Sequence, residues 1–506
     1  MRRAKQLLLH TSAMTATSLL MRTIALVFQV YVAGRIGAAL VMSVYTLATT
    51  VAVSGVRLAA TRLIAQQTGR GDDAAIRRAT GCAMGYAAFF GMAALLLLYY
   101  LAPAAAAWVG DDRIILSLRV LAFALPFVAA SGAMGGYFIA MHQSVKMSLV
   151  QLSEQFIRIG CTVLALLRLG GYGLEYACGA LTLGMLASEV FSFLALLLFL
   201  LASLPLLKGR CVTFMLPSLF RITVPLSLSS YARSALSTAQ HLLVPRGLRL
   251  FGGGAQAALA AYGVIQGMSL PILLFPAALI AVIADLIVPE LTEAQVQGQL
   301  RGLGYMLERL YRLGLFFSMA VAGACFFFAH PLGELIYSEP AAGQYIRLLA
   351  PLVPIMYMDT LVDGMLKGVG EYRANMRYNI IDAATGLLLV WLLLPRYGVA
   401  GYLFSISATE LLNFALSAAR LTRVTVFRLQ PLCWLLTAAA AVGGWWLLRL
   451  IFGRLLSRTG QPLILLLLVF LYLACYGAAL LLCGALRREE LSWLFSLLRG
   501  EKSPKT

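Results

Sequence analysis

The sequence predicts an all-α integral membrane protein with about fourteen transmembrane helices, arranged as two six-helix lobes followed by two C-terminal helices. Of the 506 residues, 61% are hydrophobic and only 12% are charged, whereas soluble domains are roughly half apolar. Apolar runs of membrane-spanning length recur from end to end, and the two halves of the chain share a pattern of polar residues. The bilayer is therefore the predicted environment for most of the chain.

The apolar runs give the predicted spans in order. A spanning helix needs about 20 mainly apolar residues, because its N–H and C=O groups find no water in hydrocarbon and must bond within the helix. The ends of such runs are defined to within about 3 residues. The predicted spans are 10–33, 38–66, 80–102, 116–141, 146–168, 174–203, 216–245, 258–289, 305–329, 342–366, 374–394, 399–421, 432–452 and 462–484.

Lysine and arginine are concentrated in the loops on one side of the predicted bundle. With the N terminus inside, most of them fall on cytoplasmic segments and the external loop 330–344 holds none, as the positive-inside rule expects. Both termini are therefore predicted to be cytoplasmic, although the loop with Arg449, Arg454 and Arg458 departs from the rule. The net charge of +19 forms no single patch or nucleic-acid module, so no nucleic-acid partner is expected.

Enzymes and metal sites are not predicted. The eight cysteines are scattered, without a CxxC pair and without a histidine at metal-ligand spacing. No loop is long enough to form a soluble domain, no Walker A sequence occurs, and no nucleophile, base and orienting group occur together. We therefore expect no catalytic residues, no metal site and no bound cofactor beyond a coupling Na⁺ or H⁺.

An internal repeat relates the two halves. The stretch LRVLAFALPF from Leu118 resembles IRLLAPLVPI from Ile346, and the same offset carries Glu154 to Asp382. Because each half has six helices, both halves start on the same side, and transporters built from such parallel repeats place their substrate site between the halves. Further matching pairs are ASEVFSF from Ala187 with ATELLNF from Ala408, and Tyr172-Gly173-Leu174 with Tyr397-Gly398-Val399. The predicted domains are 1–205 for the N-terminal lobe, 206–430 for the C-terminal lobe, 431–486 for the last two helices and 487–506 for a basic cytoplasmic tail.

Polar stripes on helices one and seven predict a cationic cavity. A charge at the bilayer centre costs about 2.5 to 3.5 kcal/mol on insertion scales, so it usually faces a protein interior or a watery cavity. Arginine suits phosphate because its planar fork donates two hydrogen bonds and stays charged, so a diphosphate head group is the expected guest. The alternative is that single arginines snorkel or pair with carboxylates, and this alternative is favoured for Arg62 near the cytoplasmic end. The candidate substrate-binding residues are Ser18, Arg22, Gln29, Arg57, Arg62, Arg233 and Gln240.

Acidic residues within the predicted spans are candidates for gating or ion coupling. Glu154 and Arg158 stand one turn apart and can neutralise each other, which is equally typical of a structural pair. Asp363 can pair with Lys367. Intramembrane carboxylates without a local partner are candidates for Na⁺ or H⁺ coupling, or for salt bridges that close a gate. The gating or coupling candidates are Glu154, Arg158, Asp285, Asp359 and Asp363; Asp382 and Glu410 are further intramembrane acids.

The sequence resembles a known superfamily. Matching stretches are PILLFPAALIAVIADLIVPELTEAQ from Pro271, GVRLAATRLIAQQTGRGD from Gly55, LVQLSEQFIRIG from Leu149 and LLLPRYGVAGY from Leu392. Together they are similar to polysaccharide-transport members of the multidrug/oligosaccharidyl-lipid/polysaccharide (MOP) superfamily, and most similar to the stage V sporulation protein B and lipid II flippase families.

The resemblance implies a MATE-like fold of two six-helix lobes around a V-shaped cavity. It also implies alternating access that carries an undecaprenyl-diphosphate-linked saccharide to the outer leaflet of the bacterial cytoplasmic membrane. Cavity arginines of helices one and two matter in similar lipid II flippases, and Arg22 and Arg57 match those positions. Arg57 departs from the small, uncharged pattern of the sporulation members. Membrane lipids and the anionic lipid-linked saccharide are the expected partners, and a monomer is expected.

Two alternatives remain open at this point. A multidrug cation antiporter of the same superfamily needs acidic cavity residues, whereas helices one, two and seven offer arginines without carboxylates. A non-transporting scaffold for envelope or spore-wall assembly would not need two matching polar stripes. The sequence therefore favours an anionic cargo.

Overall fold

A computed structural model describes most of residues 73–203, 232–251, 255–284, 300–427, 430–456 and 460–484, together with Leu291 and a few positions between 20 and 64. The described residues are helical and contain no strand. The helices are α1 Asp73–Val109, α2 Ile114–Ala140, α3 Ser144–Leu169, α4 Leu174–Ser203, α5 Ala255–Val264, α6 Leu270–Leu274, α7 Leu300–Phe327, α8 Ala329–Tyr337, α9 Pro340–Leu349, α10 Val353–Gly368, α11 Tyr372–Val424, α12 Pro431–Leu456 and α13 Pro462–Leu482.

The predicted class of helical membrane protein is confirmed. In the described ranges, nine helices are long and apolar enough to cross a membrane, or ten if one bent pair counts as a single span. The last two predicted spans, 432–452 and 462–484, correspond to α12 and α13. The predicted spans 10–33, 38–66 and 216–245 lie wholly or largely outside the described residues, so the helix count of about fourteen stays a prediction.

Helix α11 contains two of the predicted spans. Its 53 residues would reach about 80 Å as one straight helix, far more than the roughly 30 Å hydrocarbon core. The backbone leaves helical geometry at Gly398, with φ 57° and ψ −132°. We therefore treat 372–397 as the first arm of α11 and 399–424 as its second arm. Gly173, the repeat partner of Gly398, also has a positive φ of 129°, so the turn is repeated in both halves.

A bend interrupts the predicted eighth span. The helices Ala260–Leu274 and Ala277–Ala284 meet at 59°, with a π-helical turn at Ile265–Ser269 just before the bend. Pro276 lies between the two helices, as expected for a residue that removes a backbone donor. The Tyr357 hydroxyl donates a 2.6 Å hydrogen bond to the Leu273 carbonyl and so satisfies an acceptor at the bend.

The chain divides into two compact units. Unit 1 takes its described residues from Val264–Asp382 and Leu403–Thr506, and unit 2 from Ala16–Gly263 and Ala383–Tyr402. The domain boundaries predicted from the sequence stay predictions.

Small residues allow close helix packing in unit 2, where α2 packs against α1 and α4. A Cβ built at Gly91 of α1 would lie 2.8 Å from the Cα of Pro126 in α2, so only glycine permits this approach. Buried alanines, Ala129 and Ala133, line the same contact. Small residues of this kind are the usual basis of helix association in membranes.

Aromatic side chains attach the last two helices to α7 in unit 1. Phe327 of α7 stacks on Trp445 of α12 with 4.4 Å between ring centroids. The Tyr476 hydroxyl of α13 donates a 3.0 Å hydrogen bond to the Phe316 carbonyl. These contacts make α12 and α13 part of the core of unit 1.

Candidate functional site

Polar residues form a continuous line through unit 1, which we call the polar seam. They recur at steps of three and four residues, so on each helix they share one face. The seam consists of Asp359 and Asp363 on α10; Glu371, Asn375, Asn379 and Asp382 at the start of the first arm of α11; and Glu410, Asn413, Ser417 and Arg420 on the second arm.

Hydrogen bonds join the three parts of the seam. Asn413 Nδ2 donates to Asp359 Oδ2 at 2.9 Å. Asp363 accepts from Ser417 Oγ and from Asn379 Nδ2, each at 3.3 Å. Neutral donors of α11 therefore take the place of Lys367, the partner that the sequence suggested for Asp363.

The middle of the seam is buried and electronegative. Asn379 and Asn413 are 6% and 5% exposed. Asp359 lies within electrostatic range of three further acids, Asp363, Glu410 and Asp382. Repulsion among partly buried carboxylates is unfavourable unless a cation or a proton compensates it.

The bonded side chains of Asp359 and Asn413 each keep one oxygen atom that accepts no hydrogen bond. Within the described part of the chain, Asp359 Oδ1 and Asn413 Oδ1 are buried and accept no hydrogen bond. A buried acceptor without a partner is rare and costs about 1 to 3 kcal/mol. The two oxygens belong to side chains that are bonded to each other, so a hard cation bound near them would gain both as ligands.

The ligand atoms that the seam offers are hard oxygen donors. Among the residues that the structure describes, no group of three or more histidine, cysteine, aspartate or glutamate side chains is arranged to hold a metal ion. Carboxylate, amide and hydroxyl oxygens are hard ligands and are poor ones for soft transition metals.

An ion pair lies at one end of the seam. Arg420 Nε and Nη2 donate to both carboxylate oxygens of Glu371, at 3.1, 2.8 and 2.9 Å. The side chains are 37% and 26% exposed, so solvent reaches this end. Glu371 follows Gly370, whose φ of 80° ends α10 and starts the turn into α11.

The predicted Glu154–Arg158 pair forms in unit 2 and is part of a larger cluster. Arg158 Nη2 lies 2.6 Å from Glu154 Oε1 and 3.5 Å from Glu189 Oε1. Arg158 Nε also donates to Ser188 Oγ at 3.2 Å. The sequence analysis missed Glu189, although the ASEVFSF repeat pairs it with Glu410 and so contained the signal.

The repeat shows how the two halves differ. Glu154 and Glu189 correspond to Asp382 and Glu410 of the second half, so both halves place a carboxylate on each of two matching helices. The same difference in residue number that aligns Glu154 with Asp382 aligns Arg158 with Gly386. The second half therefore lacks the internal arginine that neutralises the first.

The remaining predicted residues are only partly described. Arg233 is exposed on a helical turn. Gln240 is half-buried and lies against Gly386 of α11, because a Cβ added to Gly386 would lie 2.9 Å from Gln240 Oε1. Ser18, Arg22, Gln29, Arg57, Arg62 and Asp285 lie outside the described residues.

Comparison with known proteins identifies the family. Residues 8–286 match the model of a family described as polysaccharide biosynthesis protein. The chain belongs to this family. Membership agrees with the prediction from the sequence motifs and with the prediction that the chain is not an enzyme.

Sporulation proteins are among the relatives of this polysaccharide biosynthesis family member. The chain is 25% identical to stage V sporulation protein B of Bacillus subtilis over 440 residues, which cover 83% of this chain and 85% of the relative. It is 22% identical to sporulation protein YkvU of the same organism over 277 residues, which cover 53% and 61%.

Solved structures show the fold. The lipid II flippase MurJ in an inward closed conformation matches with a TM-score of 0.68 at 12% identity, covering 96% of this chain and 99% of MurJ. An inward-facing multidrug resistance MATE family transporter of the MOP superfamily matches with a TM-score of 0.61 at 13% identity, covering 81% and 98%. The predicted MATE-like fold is therefore confirmed.

Proposed function

We propose that this protein is a flippase that moves an undecaprenyl-diphosphate-linked saccharide across the bacterial cytoplasmic membrane by alternating access. The cargo would be a peptidoglycan precursor or a polysaccharide unit, moved from the cytoplasmic to the outer leaflet, with both termini of the protein cytoplasmic. The observation that carries the proposal is the extent of the fold match. The lipid II flippase covers 96% of the chain, whereas the multidrug transporter covers 81%.

The diphosphate would be held by arginines. We assign this role to Arg22, Arg57 and Arg233, with Ser18, Gln29, Arg62 and Gln240 as further polar contacts. Guanidinium forks bind phosphate oxygens in pairs and keep their charge at any physiological pH. The absence of carboxylates from the sequences of predicted helices one, two and seven supports an anionic guest.

The polar seam would couple transport to a cation, either Na⁺ or H⁺. Asp359 and Asn413 offer two buried oxygens without donors, and Asp363 and Ser417 lie one turn further along the same helices. The Glu154–Arg158–Glu189 cluster already contains a cation, so we assign it a structural or gating role. Asp285 remains a coupling candidate on its sequence alone.

Transport in proteoliposomes tests the assignment of the arginines. We expect a fluorescent undecaprenyl-diphosphate disaccharide to flip with wild-type protein, and at least about tenfold more slowly with Arg22→Ala or Arg233→Ala, the loss expected for one charged contact. Arg168→Ala, at an exposed arginine at the end of α3, is the matched control and should leave the rate unchanged.

A multidrug cation antiporter is the second candidate, because the fold is shared and the seam is acidic. A cationic dye in the same proteoliposomes separates the two. Transport of the dye without transport of the lipid would make the protein an exporter. Transport of neither by folded protein would favour the scaffold.

A further inference from the structure

The contacts of the polar seam follow one another in order along the second arm of α11. Arg420 contacts Glu371, Ser417 contacts Asp363, and Asn413 contacts Asp359. Arg420 and Asn413 are seven positions apart, which corresponds to about 10 Å along a helix. The seam therefore links a partly exposed ion pair to Asp359, whose Oδ1 atom is buried.

Oxygen atoms are spaced closely along this line. Asn379 Nδ2 donates to Asn375 Oδ1 at 3.1 Å as well as to Asp363. The Asn375 backbone N–H in turn donates to the Glu371 carbonyl. Hydrogen-bonded polar side chains thus run from Asn375 through Asn379 to Asp363, and an ion needs such polar groups once it leaves water.

The charges at the exposed end favour a cytoplasmic opening. Lys367, Arg373, Arg377 and Arg423 flank the Arg420–Glu371 pair, and such basic residues mark the cytoplasmic side. The guanidinium of Arg420 lies at the end of the seam, where its positive charge opposes the passage of a cation. A partly exposed ion pair of this kind can open, because water competes for both partners.

We propose that the Arg420–Glu371 pair is the cytoplasmic gate of a sodium route that runs along the polar seam to Asp359. This inference rests on the cation site proposed above and adds the route and its control. Opening of the pair would release Na⁺ to the cytoplasm, and closing would retain it at Asp359. A merely structural pair would fix the α10–α11 turn without affecting ion exchange.

Equilibrium binding and dissociation of ²²Na⁺ from the purified full-length protein separate the gate from the site. Arg420→Gln should leave equilibrium binding within about twofold and speed dissociation about tenfold, which corresponds to a barrier lowered by one electrostatic contact. The double variant Arg420→Glu with Glu371→Arg, which restores the pair with reversed charge order, should return dissociation towards the wild-type rate. Arg423→Gln, at an exposed arginine near the same helix end, is the matched control and should behave as wild type.

The outcomes are distinguishable. If folded Arg420→Gln releases ²²Na⁺ at the wild-type rate while Asp359→Asn loses ²²Na⁺ binding, the gate is overturned and the cation site stands. Equal binding by wild type and Asp359→Asn, or no saturable binding by wild type, overturns the cation site and the sodium route with it. If Arg420→Gln does not fold, Glu371→Gln breaks the same pair: dissociation about tenfold faster than wild type supports the gate, and unchanged dissociation contradicts it.

Discussion

Asp359 and Asn413 show how much of the candidate site depends on contacts between distant residues. The sequence predicted Asp359 because a carboxylate without a local partner stands within an apolar run. Its actual partner, Asn413, is 54 positions away on the second arm of α11. Helical periodicity places residues on a face, but it does not say which faces meet. The seam was therefore only partly predictable from the sequence.

Asp359→Asn should separate stability from transport. The substitution keeps the shape of the side chain and removes one carboxyl group from a cluster of acids, so the midpoint of thermal unfolding in detergent should stay or rise. Cation-dependent lipid flipping should fall at least about tenfold. Glu175→Gln, at an exposed acid at the start of α4, is the control. Loss of stability together with activity would instead assign Asp359 to the scaffold of the fold.

Arg158→Ala should act through stability. It leaves Glu154 and Glu189 close together without their shared cation, which costs up to about 3 kcal/mol for partly buried carboxylates. Adding Glu189→Gln should recover part of that loss in a thermal unfolding measurement. Transport lost by a variant as stable as wild type would show that Arg158 acts in the transport cycle.

At the scale of helices, apolar length and the repeat predicted the spans well where the chain is described. The last two predicted spans agree closely with α12 and α13. The turns at Gly173 and Gly398 lie in the gaps predicted between spans 146–168 and 174–203 and between spans 374–394 and 399–421. Pro276 marks the position of the 59° bend in the sequence, whereas the π-helical turn and the hydrogen bond from Tyr357 arise from packing.

Gly398→Ala should destabilise the turn between the arms of α11. The backbone has a positive φ, and a Cβ would lie 2.6 Å from the Phe251 ring. Left-handed strain and the clash together should cost about 1 to 3 kcal/mol. Gly85→Ala, in the middle of α1 with nothing within 4 Å of the added Cβ, should be neutral or slightly stabilising. Equal unfolding midpoints for the two variants would argue against this turn geometry.

For the whole molecule, the fold and the charge pattern together support a transporter with divided roles. The N-terminal half carries acids that Arg158 neutralises, whereas the C-terminal half carries an acidic seam with a gated end. The superfamily was predictable from motifs because several stretches spread over the chain carry the likeness. The cargo is not predictable from the sequence, because arginines favour an anionic group but do not define the saccharide attached to it.

The most direct test of the central claim is flipping of a fluorescent undecaprenyl-diphosphate disaccharide by wild-type protein in proteoliposomes, measured as protection from a membrane-impermeant quencher. A cationic dye and protein-free vesicles run in parallel. If the protein is a flippase, lipid translocation should be rapid and depend on the protein, and the dye should move little. Lipid translocation no faster than in protein-free vesicles, with folded protein confirmed in the bilayer, would contradict the proposed flippase function.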